Sequence, residues 1–390
     1  MGTVLFEQPI AQNQRMKPAI VILGYNRPQC LKRLIQNLIQ AEYDVPNIDL
    51  IISLDKGAHK ECVQFAQAFH WPYGNKEVVV QQKRLYTYGQ VHYAASLAEK
   101  YGAVIALEDD LGVSPQFYKY AQQVLSFYSI SNNIAGISLY SYQLTENNYQ
   151  SFDPLEDDYD TYLMQFPASW GQAFTYEQWL AFLKWKNHTQ FDQNNLPEFV
   201  REWSGKSWKR EFLEYMIAEN KYFAYPRAAY STNFGDNGAN YAISMSLFQV
   251  PLAHNSPKTF RFAKSLEAVT YDAWFEPTPA TVHKYLPDLS EPIAIVDTLG
   301  TKDLTFYNDD LALSIRTSLH PVRQFVFQGK QLVLAKAHTF NNLRVRRRVE
   351  DANYDLMGSA KKMPYVFYKL WFVISNYLLV LKKRLQRLSY

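Results

Sequence analysis

Three consecutive acids, Glu108, Asp109 and Asp110, follow a short apolar run at residues 103–107. Adjacent carboxylates repel and raise one another's pKa, so an apolar strand feeding a triplet is unfavourable without a compensating charge. A divalent cation resolves the conflict, because carboxylates are hard oxygen ligands. A cation so held neutralises a departing diphosphate. A solvated acidic turn or a helix cap is the alternative. The position directly after a buried strand favours metal or nucleotide binding.

Other residues of comparable chemistry are spread along the chain. Asp55 ends an apolar run and precedes Lys56 and Gly57. It is placed to accept hydrogen bonds from a base or ribose, although Asp-Lys-Gly is also an ordinary turn. Arg27 is able to pair with phosphate or another anion, or to be a surface arginine before a helix. Asn233, Phe234, Gly235, Asp236, Asn237 and Gly238 read as a mobile loop. Its two glycines allow close backbone approach and hinge motion, and such a lid excludes water from a reactive donor. A plain surface turn has the same composition. A second acidic cluster, Glu156, Asp157, Asp158 and Asp160, follows no strand and reads as a solvated loop. The eight histidines show no zinc-like spacing. There is no Walker-type phosphate loop and no Gly-x-Ser-x-Gly elbow.

The elements that must position these residues alternate in type. Residues 19–23, 49–54, 77–81 and 103–107 are short β-branched or apolar runs that read as buried strands. Residues 30–39, 61–69, 90–101 and 115–128 carry apolar residues at helical spacing. This alternation predicts an α/β fold, a mostly parallel central sheet covered by helices on both faces. Ligands of such sheets bind beyond the carboxyl ends of the strands. Arg27, Asp55 and the acidic triplet all lie at those ends, so three polar clusters converge on one predicted rim. Further on, a strand is expected at 162–166, helices at 175–185 and 208–219, and a loop at 231–240.

Composition narrows the class. The chain has 390 residues, 47% of them hydrophobic, enough for one large domain with an appendage. We divide it into an N-terminal arm (1–16), a catalytic domain (17–255), an appended C-terminal region (256–345) that is irregular and Pro-rich at its start, and a basic amphipathic helical tail (346–390). A net charge of +3 is small for this length and argues against nucleic acid as a partner. Two cysteines, Cys30 and Cys62, make no disulfide framework, and fit a reducing compartment, most simply the cytosol; one bridge between them stays open. The polar start of the chain lacks the apolar core of a signal peptide. Aromatic residues reach 16%, and such rings make flat walls for sugars as readily as they fill a core.

Five stretches in this order resemble a known family: AIVILGYNR (19–27), ISLDKG (52–57), LEDDLGVSP (107–115), FPASWG (166–171) and STNFGDNG (231–238). They are similar to GT-A glycosyltransferases related to N-acetylglucosaminyltransferase I, and to bacterial enzymes of capsule and lipopolysaccharide assembly. The resemblance spans about residues 17–241. It implies the GT-A (nucleotide-diphospho-sugar transferase) fold and inverting transfer of a sugar from a UDP-sugar, such as UDP-GlcNAc or a related hexose donor, to a glycan hydroxyl. It implies Mn2+ or Mg2+ as cofactor, with Asp110 as the direct metal ligand and Glu108 and Asp109 on the nucleotide sugar. Asp55 would bind the uracil or ribose, Arg27 would anchor the nucleotide, and residues 231–238 would close on the donor. The family sets its catalytic carboxylate in an acidic pair just after a tryptophan. Here the similar position reads Trp208, Lys209, Arg210, Glu211. Glu211 is therefore the leading base, followed by Asp236 and Glu214.

Two rival functions remain open at the level of sequence. A sugar nucleotidyltransferase also combines an α/β sheet with acidic metal ligands, but it would carry a Gly-rich loop where this chain has Gly24, Tyr25, Asn26, Arg27 and Pro28. A catalytically silent nucleotide-sugar or glycan-binding protein is the other. In the tail, residues 365–381 are strongly apolar but too short to span a bilayer comfortably. Lys362, Lys369, Asn376 and Lys383 recur every seven positions, one polar stripe on a helix, and Lys382, Arg384 and Arg387 add charge. The pattern fits a helix lying in an anionic membrane surface, and equally a helix packed on protein. The first alternative places the protein in the cytoplasm, peripheral on the inner membrane face, near a lipid-linked glycan acceptor.

Overall fold

Ala19–Gly24 (β1) is buried at every position, as a continuous apolar strand must be when both sheet faces are covered. In a computed structural model, which describes residues 16–188, 190–237, 246–255, 259–264 and 267–341, β1 lies within a nine-stranded sheet. Pro28 opens the next helix, Pro28–Gln40 (α1), from its first turn, where a missing N–H costs nothing. The helix buries Cys30, Leu31, Leu34, Ile35 and Leu38 as one stripe. Leu50–Leu54 (β2), Lys60–Ala68 (α2) and Lys76–Val80 (β3) repeat the unit. Tyr86–Ser96 (α3) and Ala98–Tyr101 (α4) divide at Leu97 the stretch that reads as one helix, and Gly102, at φ 75°, ends it before Ala103–Glu108 (β4).

The chain continues through Leu111–Val113 (β5), Phe117–Tyr128 (α5), Ile134–Ser138 (β6), Thr161–Met164 (β7), Gln172–Thr175 (β8) and Tyr176–His188 (α6). Glu198–Arg201 (α7), Trp208–Ala218 (α8), Tyr222–Pro226 (β9), Ser231–Asn233 (β10) and Thr270–Tyr271 (β11) follow. The sheet order is β11-β7-β9-β6-β8-β4-β1-β2-β3. The pairings β4-β1, β1-β2 and β2-β3 are parallel, whereas β8 runs against both β4 and β6. The mostly parallel sheet expected from the alternation is present, with β7, β8 and β11 reversed. Two apolar cores cover its faces, one built on Val21, Ala106, Phe174 and α8, the other on Ile20, Ile22, Ile105 and α1. Leu23 pairs with Glu108 and Gly24 with Leu54, so β1, β2 and β4 end together on one edge.

The appended region is not separate from this sheet at its start. Ala268, Val269, Tyr271, Ala273 and Phe275 are buried in the main cores, and β11 is the outermost strand. Beyond Pro279–Tyr285 (α9), the strands Ile295–Asp297 (β12), Leu311–Ser314 (β13), Arg323–Phe327 (β14) and Lys330–Lys336 (β15) form a second sheet with its own core. A buried polar cluster joins the two parts. Glu276, with no exposed surface, accepts hydrogen bonds from Thr298 N (2.9 Å), Thr298 Oγ1 (2.6 Å) and Leu299 N (2.6 Å). Burial, and then the charge of Asp297, push its carboxyl up to about 8.

Glu276→Ala strands those donors in a dry junction. Leaving buried partners unpaired costs about 3 kcal/mol, and the denaturant midpoint should fall accordingly. Because the folded carboxyl titrates above its unfolded value of 4.5, its stabilising contribution is complete below that pH. The wild type's advantage over the alanine variant should therefore shrink as pH rises toward about 8.

Candidate active site

Glu108 is the last residue of β4, and the turn Asp109-Asp110 leads directly into β5. Asp109 and Asp110 are buried. Arg27, just before α1, bridges them: its Nη1 donates to Asp110 Oδ2 at 2.7 Å and its Nη2 to Asp109 Oδ1. Burial opposes the arginine's charge, but the two carboxylates outweigh it and raise its pKa. Burial drives Glu108 up to about 8, with the charge of Asp110 the next cause, and Asp109 up to about 6 against the pull of Arg27. The repulsion expected within the triplet is thus present but second to desolvation.

Asp110 Oδ1 is buried and has no partner among the described residues. A buried carboxylate oxygen left unpaired is costly, and oxygen is the donor that Mn2+ or Mg2+ prefers. Among the described residues, no group of three or more His, Cys, Asp or Glu side chains gathers to hold a metal alone. One carboxylate oxygen beside a phosphate-compatible arginine fits an ion that takes its remaining ligands from substrate phosphates and water, as Mg2+ commonly does.

The structure brings Asp55 to the same edge, and its carboxylate is heavily engaged. Oδ1 accepts from Lys56 N (2.9 Å) and Leu85 N (2.8 Å); Oδ2 accepts from Tyr86 N (2.9 Å) and lies 3.3 Å from Arg84 Nε. The side chain therefore ties the β2 turn to the start of α3. Tyr86 is held at φ 54°, a left-handed conformation that a bulky residue rarely adopts, and it is 67% exposed. Arg84 lies over the Tyr25 ring at 3.3 Å from its centroid and also faces Tyr86 at 5.1 Å. Sequence reading singled out none of these three residues. Tyr86 carries a local oddity only a backbone reveals.

The expected loop is rooted beside the triplet. Residues 231–233, read from composition as loop, are strand β10, antiparallel to β5, with Asn233 opposite Leu111. Asn233 thus belongs to the ribbon, and its Oδ1 accepts from Gly235 N at 2.6 Å. Phe234 N donates to Asp110 O at 3.2 Å. A Cβ on Gly112 would lie 2.6 Å from Phe234 Cε2, so only glycine permits this approach. The Arg33 guanidinium stacks on Phe234 at 3.9 Å and pairs with Asp236. Burial works against the Asp236 charge, but the Arg33 hydrogen bond holds the carboxyl below its usual range. Gly238 lies outside the described residues.

The expected bases on α8 are also placed. Glu211 is half-buried among α3 and α6: its Oε2 accepts from Tyr88 Oη (3.0 Å) and Lys186 Nζ (3.1 Å), Lys186 lies 3.0 Å from Oε1, and His92 Nε2 is 3.5 Å away. Burial raises its pKa, yet His92 and Lys186 together hold it below the ordinary value. Glu214 sits a turn further along, bound by Arg210 Nε (3.3 Å) and Gln193 Nε2 (3.1 Å). Lys209, unremarked from composition, is buried and paired with Glu146. The second acidic cluster works as a tether, with Asp157 accepting from Arg227 Nη2 (2.9 Å) and Val269 N (3.2 Å). Cys30 and Cys62 are free, buried thiols, which burial pushes up to about 12 and about 11.

No family model matches the chain. No curated protein sequence matches it either. Among solved structures it is similar to S. aureus TarS 1–349, with 13% identity over 55% of this chain and 60% of that one, at a TM-score of 0.36. It is similar to GalNAc-T7 bound to UDP, GalNAc and Mn2+ (12%, 56% and 43%, 0.37). It is also similar to the mannosyltransferase PcManGT from Pyrobaculum calidifontis bound to GDP-Man and Mn2+ (10%, 55% and 57%, 0.33). The chain spans less than two thirds of each of these proteins. Superposition this loose does not decide fold family or activity, and what the site does must come from its own geometry.

Proposed function

We propose that this chain is a metal-dependent GT-A glycosyltransferase that moves a sugar from a UDP-sugar to the hydroxyl of a glycan or lipid-linked glycan, with inversion. The observation that carries the reading is the unpaired, buried Asp110 Oδ1 at the edge where β1, β2 and β4 end, beside Arg27 and the root of the 231–238 loop. Bound there, Mn2+ or Mg2+ would neutralise charge on the departing diphosphate. Arg27 holds a second positive charge at the same place and keeps Asp109 and Asp110 apart from each other's repulsion. Asp55 shapes the turn that presents Arg84 and the exposed Tyr86 ring, a platform on which a nucleobase stacks. Phe234 and Gly235, fixed to the Asp110 backbone at one end, form the base of a flap over the donor. A carboxylate then takes the acceptor proton as that hydroxyl attacks the anomeric carbon, and fixing both substrates in line supplies much of the acceleration.

Bacterial surface polysaccharide assembly at the cytoplasmic membrane face is the setting this reading favours. The polysaccharide setting rests on the resemblance of the sequence motifs, and the membrane face on the sequence pattern of residues 346–390, which lie outside the described residues. Among the described residues, no helix is long and apolar enough to cross a membrane.

The test is turnover of UDP-GlcNAc, UDP-glucose, UDP-galactose and GDP-mannose with Mn2+ or EDTA, reading every product. Metal-dependent release of nucleoside diphosphate with a transferred or hydrolysed sugar is the expected result. In a parallel reaction supplied with UTP or GTP and a sugar 1-phosphate, formation of a nucleotide sugar with release of pyrophosphate would identify a nucleotidyltransferase. Tight binding without turnover would identify a silent binding protein.

A further inference from the structure

The second residue of α8, Lys209, lies where the resemblance calls for an acid. Its ammonium is enclosed by the rings of Phe166 (4.5 Å), Trp203 (5.5 Å), Trp170 (5.6 Å) and Tyr142 (5.9 Å). A buried cation requires a counter-ion, and the 145–150 loop supplies one in Glu146. Lys209 Nζ and Tyr142 Oη both donate to Glu146 Oε1, and Lys209 Nζ is 3.2 Å from Tyr142 Oη. Glu146 Oε2 has no partner among the described residues. This carboxylate is gripped through one oxygen and offers the other.

The cluster is linked to the strands that carry the acidic triplet. The β4–β8 register sets Ala106 opposite Gln172, two positions from Glu108 on one strand and two from Trp170 on the other. Ser231 Oγ donates to Trp170 O at 2.5 Å, which fastens the root of the flap to the same wall. Next along the chain, both amide atoms of the buried Gln172 lack partners among the described residues, and the hydroxyls of a bound sugar would satisfy them.

We infer that Glu146 is the general base of the transfer and Lys209 its positioning residue, an assignment that rests on the glycosyltransferase reading. The acceptor oxygen forms a bond to the anomeric carbon while the bond from that carbon to the diphosphate oxygen breaks. The leaving group keeps that electron pair, and the acceptor proton passes to Glu146 Oε2. Two of the other carboxylates are less free. Glu211 has both oxygens engaged by cations or hydroxyls, and Asp236 is clamped by Arg33 through both of its own. Glu214 is likewise held through Oε1 alone, by Arg210 Nε and Gln193 Nε2, and differs from Glu146 in lacking the buried lysine and tyrosine that fix the carboxylate in place.

The test compares water with azide, a nucleophile that has no proton to lose, in nucleoside diphosphate release from the four nucleotide sugars above with Mn2+. Glu146→Gln should slow the reaction with water about 100-fold or more, within the usual range for a general base. It should leave UDP affinity unchanged and keep the azide reaction near the wild-type rate. If this variant melts early, Glu146→Asp retains the ion pair and should be about tenfold slower with water, with azide again spared. Lys209→Met should raise the pH of the acid limb of the rate profile. Equal losses with water and azide would overturn the assignment, as would an azide-spared loss in Glu211→Gln in place of Glu146→Gln. A wild-type protein that cleaves none of the donors would instead refute the glycosyltransferase reading, and the base with it.

Discussion

Asp110→Ala should abolish metal-dependent UDP binding and lower transfer about 1,000-fold, while the protein still folds. Charge stabilisation by a bound cation is worth several kcal/mol at the transition state, and each 1.36 kcal/mol is tenfold in rate. Folding is spared because the backbone does the structural work here. Phe234 N bonds to Asp110 O and β5 pairs with β10, neither of which needs the carboxylate. Arg27 keeps Asp109, and removing one of three crowded acids relieves repulsion. Circular dichroism and thermal unfolding without metal check the fold, and calorimetry with UDP and Mn2+ checks the site. Full activity of the variant in excess EDTA would sink the metal assignment.

Asp55→Ala should have the next largest effect, and of a different kind. Its carboxylate satisfies three backbone N–H groups and orients Arg84. The alanine variant leaves those donors short of partners, at a cost of about 3 kcal/mol, and frees Tyr86 from its left-handed backbone. Stability and nucleotide affinity should fall together, the latter at least tenfold, which corresponds to about 1.4 kcal/mol. Hydrogen exchange at residues 84–88 should rise in the same variant. A variant that binds UDP normally with this segment loosened would remove Tyr86 and Arg84 from the donor site.

The alternation of apolar runs and helical periods made the front half of the sheet legible. β1, β2, β3 and β4 fall within a residue or so of where the sequence places them, and their shared carboxyl edge follows from parallel topology. Physical reasons account for what was not legible. β6, β8 and β9 are only four or five residues long, and flanking aromatics blur their period. Residues 231–233 look like loop because Asn disfavours strands and Gly235 and Gly238 follow closely, yet pairing with Leu111–Val113 overrides that preference. β11 is two residues long within a Pro-rich stretch and is a strand only because β7 lies beside it.

At the site, acid clusters at strand ends can be read directly, but the partners they find cannot. Arg27 was legible as an anion binder, whereas its grip on Asp109 and Asp110 depends on how β1 meets β4. Lys209 and Glu146 are 63 positions apart, and no spacing rule connects them. The visible signal was a departure: a lysine where the resemblance calls for an acid.

The central claim is that Asp110 completes a metal site only when a nucleoside diphosphate is present. The most direct measurement is calorimetric titration of the wild-type protein with UDP, in Mn2+ and in EDTA. The account predicts binding at least tenfold tighter with Mn2+, a difference of about 1.4 kcal/mol or more, together with a higher melting temperature for the ternary mixture than for either ligand alone. Equal affinity with and without the metal would contradict it.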